Sequence, residues 1–434
     1  MRMYDLIHKK KEGKALTKEE IAFFVAGVTD GTIPDCQTSA LLMAICLKGM
    51  DDREATDLTL AMLASGESAD LSAIPGLKAD KHSTGGVGDS TTPVVIPTVA
   101  SCGLKVAKMS GRALGHTGGT IDKLESVPGT RTELSPAEFA HTVNTVGAAV
   151  IAQTGTLCPA DKKLYALRDF TATVESNALI ASSIMSKKLA SGADVIMLDV
   201  KYGSGAFVKD PEDARELARL MVKIGEGAGR RVGAIISSMD VPLGHAVGNA
   251  LEMYEASDIL RGNAPADKLE VCVELAAGML SLAGIAEIDE ARMIAKDTIL
   301  SGKAFSKLCE MLEAQGGDTT ELRCPEKRRY APYKYELKAE NEGYISFMNT
   351  EEIGLSESML GAGRTSLDGS VDYLAGLEII KKTGDKVSPD DTVIILHSSD
   401  EKLFGAAAER LRKAISYSSE KPEVPPVIYA TVGI

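Results

Sequence analysis

The sequence has no tryptophan, and aromatic residues make up only 4% of its 434 positions. A surface that stacks nucleic-acid bases is built from such rings, so their scarcity argues against that function. Positive charge is also in short supply. Lys and Arg number 48 against 61 Asp and Glu, the net charge is −13, and no broad basic stripe exists. This counts against nucleic acid or an anionic membrane as a partner. Any anion must be held by a few local cations and by backbone N–H groups. No apolar run approaches the ~20 residues of a membrane span. Met1 to Lys14 is charged and lacks the apolar core of a secretory signal. The cysteines Cys36, Cys46, Cys102, Cys158, Cys272, Cys309 and Cys324 are odd in number and scattered, and no C-x-x-C occurs. They read as small core residues of a reduced, cytoplasmic protein, not as a disulfide framework or a zinc site.

What is present is enough apolar sequence, 44%, for packed cores, in a chain long enough for two or three domains. Residues 1–66 read as all helix. Thr17 and Glu20 form a capping box ahead of Ile21, Phe24, Val25 and Val28 on one face. Ala40 to Leu47 is apolar all round and predicts a buried helix that Gly49 ends. Beyond Ile74-Pro75-Gly76 the character changes. The strands predicted at Val106 to Met109, Ala148 to Ala152, Val195 to Val200 and Val232 to Ser237 alternate with helices, the pattern of a largely parallel sheet covered by helices. Ser135 and Asp210 mark helix starts. Two consecutive helices, between Pro159 and Leu189, interrupt the alternation and are expected to rejoin the N-terminal ones. The charged stretch Cys324 to Lys334 reads as a linker, and a β-rich module follows. The expected fold is thus α/β. A helical domain (1–66 and 159–193) faces a mixed, largely parallel α/β domain (67–158 and 194–330) across a cleft, with a C-terminal α+β module at 331–434.

Two glycine-rich segments carry the chemistry. In Lys81-His82-Ser83-Thr84-Gly85-Gly86-Val87-Gly88-Asp89-Ser90-Thr91-Thr92, three glycines in four positions allow close backbone approach and an anion nest. Ser83 and Thr92 offer hydroxyls, Lys81 offers charge, and the helix predicted over Pro93 to Ala100 points its N-terminus at the same place. The segment is neither a Walker loop nor G-x-G-x-x-G. Ser110-Gly111-Arg112-Ala113-Leu114-Gly115-His116-Thr117-Gly118-Gly119-Thr120 follows a predicted strand with four glycines in nine residues, a second nest. Either segment alone could be a glycine turn without a ligand; two in one α/β region point to phosphate. His116 reads as a structural hydrogen bonder. A third group lies on the interrupting helices. Tyr165 and Arg168 are three apart, and Ser183 and Lys187, four apart, share a helix face. By composition alone that face is an ordinary solvated one.

The run Ser110 to Glu125, S-G-R-A-L-G-H-T-G-G-T-I-D-K-L-E, resembles the hallmark of the thymidine/pyrimidine-nucleoside phosphorylase family. Lys81 to Asp89, Pro159 to Lys162, Tyr165 to Asp169 and Lys201 to Phe207 resemble it too, and the likeness spans essentially the whole chain. The resemblance implies a pentosyltransferase for which inorganic phosphate is the co-substrate, with no organic cofactor. Phosphate attacks C1′ of a pyrimidine nucleoside and releases the base and an α-pentose-1-phosphate, reversibly. It implies phosphate at Lys81, His82, Ser83, Thr92, Lys108, Met109, Ser110 and Thr120. The base falls to Arg168, Ser183 and Lys187, with His82 near its 2-carbonyl. It implies a homodimer through the helical domain. Broader relatives hold a monovalent cation, K+, at positions matching Gly88, Ser90, Leu243, Ala246 and Glu255, where position 90 is often Thr. Lys108 stands where thymidine-selective relatives tend to be apolar, which favours uridine, thymidine and deoxyuridine together. The alternatives are a strict thymidine phosphorylase, an anthranilate phosphoribosyltransferase-like enzyme of similar fold, a nucleoside-monophosphate phosphorylase, and a binding protein without catalysis.

Overall fold

The computed structural model describes residues 1–112, 118–153, 157–364 and 370–434. His116 and Thr117 of the second glycine segment therefore lie outside the described residues.

Helices Met3–Lys11, Lys18–Asp30, Asp35–Lys48 and Asp52–Leu63 pack with Pro159–Thr171 and Asn177–Ala190. Their apolar faces merge. Leu6, Phe24, Val28, Leu41 and Ile45 share one core with Leu164 and Leu179. The capping box forms: the Thr17 side chain accepts from the Glu20 N–H, and the Thr17 N–H donates to the Glu20 carboxylate at 2.7 Å. Asp51 with Glu54 and Ser135 with Glu138 repeat the device. Such a cap is worth about 1 kcal/mol. Buried Lys10 donates to Glu54 at 2.8 Å, and the Leu16 N–H donates to the same carboxylate at 2.7 Å, which pins the first helix to the fourth.

The central sheet contains strands β1 (Lys78–Ser83), β2 (Lys105–Ser110), β3 (Ala148–Ala152), β4 (Val195–Tyr202) and β5 (Arg231–Ser238), all parallel. A short strand, β6 (Ala246–Val247), follows. The C-terminal region adds β7 (Tyr333–Lys338), β8 (Gly343–Met348), β9 (Gly376–Ile379), β10 (Lys386–Val387), β11 (Thr392–Ser398), β12 (Ile415–Ser418) and β13 (Ile428–Val432). Strands β6-β9-β11-β7 form one sheet and β10-β8-β12 another. The central order is β13-β5-β4-β1-β2-β3. Chain direction across the sheet thus reverses between β1 and β4. Ligands of open α/β sheets bind at such a point, beyond the carboxyl ends of the strands. The register sets Ser83 opposite Asp199 and His82 opposite Leu198.

Three features differ from the sequence reading. The stretch Lys78 to Ser83, K-A-D-K-H-S, is a central strand that the sequence reading does not predict; its charges are paired inside the protein. Of the segment Val371 to Ile380, whose alternation reads as strand in the β-rich module, only Gly376–Ile379 is strand. The last strand leaves the C-terminal module. Its Ile428 pairs with Ser237 and Val432 with Ala234, antiparallel along the outer edge of β5. Its alternating Ala430 and Val432 rest on the core beneath β4 and β5, which gives the edge a partner and an apolar cover. No helix of the described residues is long and apolar enough to cross a membrane.

Candidate active site

The carboxyl ends of β1, β2, β4 and β5 hold a buried network of charge. Asp80 lies 3.2 Å from the Lys108 Nζ and 2.7 Å from the Lys188 Nζ. Asp199 meets Lys201 at 2.8 Å and Lys81 at 3.9 Å, and accepts from the Ser237 hydroxyl at 2.6 Å. Asp89 lies 3.8 Å from Lys201 and accepts from Ser83 at 2.5 Å and Thr91 at 3.0 Å. Lys81 donates to Thr91, and Lys108 also donates to the Lys81 carbonyl. Four lysines thus face three aspartates. Burying so many charges is costly unless each finds its partner, and the surplus is positive. That suits a site whose ligand is an anion.

The protonation states follow from this crowding. Burial alone would push the Asp80 carboxyl up; Lys108 and Lys188 outweigh it and hold it at about 2. Burial lowers Lys108 to about 7, and Asp80 only partly offsets this while Lys188 and Lys81 add to it. The two directions agree because one carboxylate serves two ammonium groups. Burial would also raise Asp89, yet Lys201, Lys81 and Lys123 hold it down. His82 is driven well below its ordinary value, first by burial and then by Lys188 and Lys108, so the ring is neutral. Its Nε2 is buried without a hydrogen-bond partner. A buried orphan donor or acceptor costs about 1–3 kcal/mol, which a ligand can recover.

The first glycine segment is built as a loop against other parts of the protein. Gly85 and Gly88 take positive φ. A Cβ on Gly86 would stand 2.5 Å from the Met239 methyl, and one on Gly88 2.5 Å from the Leu243 carbonyl oxygen. Thr92 opens the helix Thr92–Ser101, as the glycine reading predicted to within a residue. Lys108, Met109 and Ser110 end β2. The Met109 carbonyl accepts from Lys188 at 3.0 Å, and the Ser110 carbonyl from the Gln153 N–H at 3.0 Å. Thr120 begins the short helix Thr120–Glu125, whose Lys123 pairs with Glu252 at 2.7 Å and donates to the Asp89 carbonyl at 3.3 Å. Lys123 therefore ties the second segment to the first.

On the helical side, Lys187 donates to Ser183 at 3.0 Å and to Asp161 at 2.6 Å. Helical spacing brings Ser183 and Lys187 together, and Asp161 arrives from the preceding helix. Arg168 is differently engaged. Its Nε, Nη1 and Nη2 donate to the carbonyls of Thr173 (3.1 Å), Leu179 (3.1 Å) and Val174 (2.7 Å), so three of its five N–H groups hold the turn between the two helices and the first turn of the second helix. The Tyr165 ring lies 5.7 Å from its guanidinium. Lys188, the next residue after Lys187, points the other way into the β1–β2 network, so one helix serves both sides.

The residues matched to a cation also converge. Glu255 accepts from the N–H groups of His245 (2.5 Å) and Ala246 (3.2 Å), and its other oxygen contacts the Lys268 ammonium. Lys268 donates to Ser90 at 2.8 Å and is fully buried. A Cβ on Gly88 would stand 2.5 Å from the Leu243 carbonyl oxygen and 3.1 Å from that of Ala246. The oxygens suit a monovalent cation, but an ammonium already bridges both side-chain ligands of the set. As they stand, the residues do not fit an added free ion.

The sequence reading missed Asp80, Asp199, Lys201 and Lys188, all buried in strands or on a helix, and also Asp161, Lys123 and Lys268. Asp161 stands in the quoted run Pro159 to Lys162, and Lys201 in the run Lys201 to Phe207. Those resemblances were the only signal available for either.

Comparison with known proteins gives the geometry its context. Residues 76–305 match the family model described as glycosyl transferase family, a/b domain. Residues 4–66 match its helical bundle domain, and 344–418 the pyrimidine nucleoside phosphorylase C-terminal domain. The pyrimidine-nucleoside phosphorylase of Geobacillus stearothermophilus is 51% identical over 434 residues, covering 100% of both chains. That of Bacillus subtilis is 53% identical over 404 residues, 93% of each. Among solved structures, anthranilate phosphoribosyltransferase from Thermus thermophilus superposes with a TM-score of 0.57 at 18% identity, over 72% of this chain and 99% of that one. At that identity the likeness concerns the fold alone. With helical bundle, α/β domain and C-terminal module all accounted for at half identity along its full length, this chain belongs to the pyrimidine-nucleoside phosphorylase family of glycosyltransferases.

Proposed function

We propose that the chain catalyses reversible phosphorolysis of pyrimidine nucleosides, uridine, thymidine and deoxyuridine among them. The observation that carries this is the surplus of buried ammonium groups at the β1–β4 switch point, with the Nε2 of His82 unpartnered beside them. Inorganic phosphate binds among Lys81, His82, Ser83, Thr92, Lys108, Met109, Ser110 and Thr120. One of its oxygens bonds to C1′ as the bond from C1′ to the base nitrogen breaks, and that electron pair leaves with the base. Negative charge develops on the base carbonyls. Lys187, held by Asp161, meets it together with Ser183 and the remaining N–H groups of Arg168. Donors already in place where charge appears stabilise the transition state more than the neutral nucleoside. His82, neutral in the free protein, donates a hydrogen bond to the 2-carbonyl. The phosphate dianion beside it raises its basicity, so protonation of the departing base is coupled to phosphate binding.

Lys108 spends two of its three N–H donors on Asp80 and Lys81. We assign the third to phosphate and the ribose 2′-hydroxyl, which favours the broad-specificity reading over a strict thymidine phosphorylase. We also propose a cytoplasmic homodimer through the helical domain, where Leu47 and Phe170 are exposed at 73% and 91%. The deciding assay follows base release from uridine and thymidine with and without phosphate. Release only with phosphate, with pentose-1-phosphate as product, is expected. Undiminished release in phosphate-free buffer would mean hydrolysis and end the proposal.

A further inference from the structure

Lys268 stands in an unusual place. It lies on the helix Ala266–Leu282, one turn after Pro265, yet none of its surface reaches solvent. Its ammonium joins the Ser90 hydroxyl, at 2.8 Å, to the Glu255 carboxylate. Around that contact the backbone is drawn tight. Gly244 has a positive φ, and a Cβ there would stand 2.5 Å from the Glu255 carboxylate. The His245 and Ala246 N–H groups fix the other Glu255 oxygen. Asp267 accepts from the Gly244 N–H and from Lys382 at 2.6 Å, so this carboxylate already has its cation. Glu252 is likewise taken by Lys123.

We propose that Lys268 is the resident monovalent cation of this site, so that the enzyme needs no free potassium ion. An ammonium carries the same single charge and contacts oxygen at about 2.7–2.9 Å when hydrogen-bonded to charged or polar acceptors. An additional ion would set two cations against one available carboxylate. The arrangement reaches the chemistry through Ser90. Its neighbours Asp89 and Thr91 contact Ser83 and Lys81 in the phosphate loop. Lys268 is therefore a positioning residue: it fixes the far side of the loop that holds phosphate and touches no substrate. A cavity of about 580 Å³, lined by His245, Ala246, Glu255 and Pro265 among others, opens beside the cluster. A free ion would have a way in if the lysine were shortened.

The proposal uses the phosphorolysis reading for its kinetic arm only; cation binding is tested separately. Wild-type protein is exchanged into tetramethylammonium buffer and titrated with KCl at constant ionic strength, reading Tm and the phosphate kcat/KM. Neither is expected to respond, with changes under about twofold in kcat/KM and no saturable rise in Tm. Lys268→Leu is titrated in the same way. It is expected to lose about tenfold or more in phosphate kcat/KM without potassium, from loosening of the loop, and to regain most of it with KCl. Its Tm should rise saturably over the same concentrations. A saturable potassium response of the wild-type Tm overturns the proposal, as does a folded Lys268→Leu protein with no potassium response in Tm. If Lys268→Leu does not fold, the wild-type titration decides alone. If no phosphorolysis is found at all, the two Tm titrations still decide, so failure of the functional reading is told apart from failure of this one.

Discussion

Lys188 donates to Asp80 at 2.7 Å, and this contact joins the helix that carries Ser183 and Lys187 to the strand that carries His82. Both partners are buried. Asp80 also faces Lys108, so the Asp80→Asn variant leaves two ammonium groups without their carboxylate. Breaking a buried pair in this way costs about 3–5 kcal/mol. Denaturant unfolding should show a loss of that order. The sign with pH follows from the lowered carboxyl. Its stabilisation is in place above the unfolded value of 3.8 and is lost as pH falls through about 2. Acid unfolding of the wild type should therefore contain a component near pH 2–4 that Asp80→Asn lacks.

Lys108 gives a second pH signature. With its ammonium lowered to about 7, the free protein loses that proton as pH rises past neutrality. A bound phosphate dianion favours the charged form. Phosphate binding at pH 8 should thus take up close to one proton, measured by calorimetry in buffers of different ionisation enthalpy. Lys108→Met should abolish the uptake. If the third N–H also meets the ribose 2′-hydroxyl, this variant lowers kcat/KM for uridine more than for deoxyuridine. One charged hydrogen bond corresponds to roughly 1–2 kcal/mol, or about five- to thirtyfold. An unchanged ratio of the two nucleosides would leave Lys108 as a phosphate ligand only.

Asp161 and Lys187 should act as a unit. Lys187→Ala removes a cation from the place where charge develops and should lower kcat by about a hundredfold or more with little change in Tm. Asp161→Asn keeps the lysine but frees its orientation, so a smaller fall is expected. In the double variant the two losses should be clearly less than additive. Full additivity would separate Asp161 from Lys187.

Arg168 differs from Lys187 in a way that thermal melts can read. Because two of its donors hold turn carbonyls at Thr173 and Val174 and a third the Leu179 carbonyl of the next helix, Arg168→Ala should lower both turnover and stability. The Val174 carbonyl keeps the Ser176 N–H, so the loss falls mainly on the Thr173 carbonyl, at about 1–3 kcal/mol where water cannot reach it. Near-normal kcat/KM in this variant would remove Arg168 from the base site.

Much of this architecture is legible in the sequence where local signals agree. The capping residues Thr17, Ser135 and Asp210 mark true helix starts, and the apolar runs at Ala148 and Val195 are strands. The first glycine segment follows β1 at the carboxyl end of the sheet. What stays hidden is charge turned inward. A strand written K-A-D-K-H-S has no apolar alternation, and Lys188 or Lys268 on a helix reads as solvated. Only tertiary pairing, residues 108 with 80, 188 with 80 and 268 with 255, explains their burial. Periodicity also gives no sign that Arg168 serves the backbone, since its partners are carbonyls that every residue carries.

The strand Ile428–Val432 has a consequence for biosynthesis. It follows the entire C-terminal module, roughly 190 residues after β5 in the chain, yet among the described residues it is the strand that pairs with the β5 edge. During translation the central sheet can assemble around β1 to β5 while that edge still shows its unpaired N–H and C=O groups. A nascent chain in this state is a template for pairing with another like it. The ribosome must therefore deliver a whole further module before the sheet is closed, and crowded expression should penalise slow synthesis of residues 331–427 with aggregation through β5.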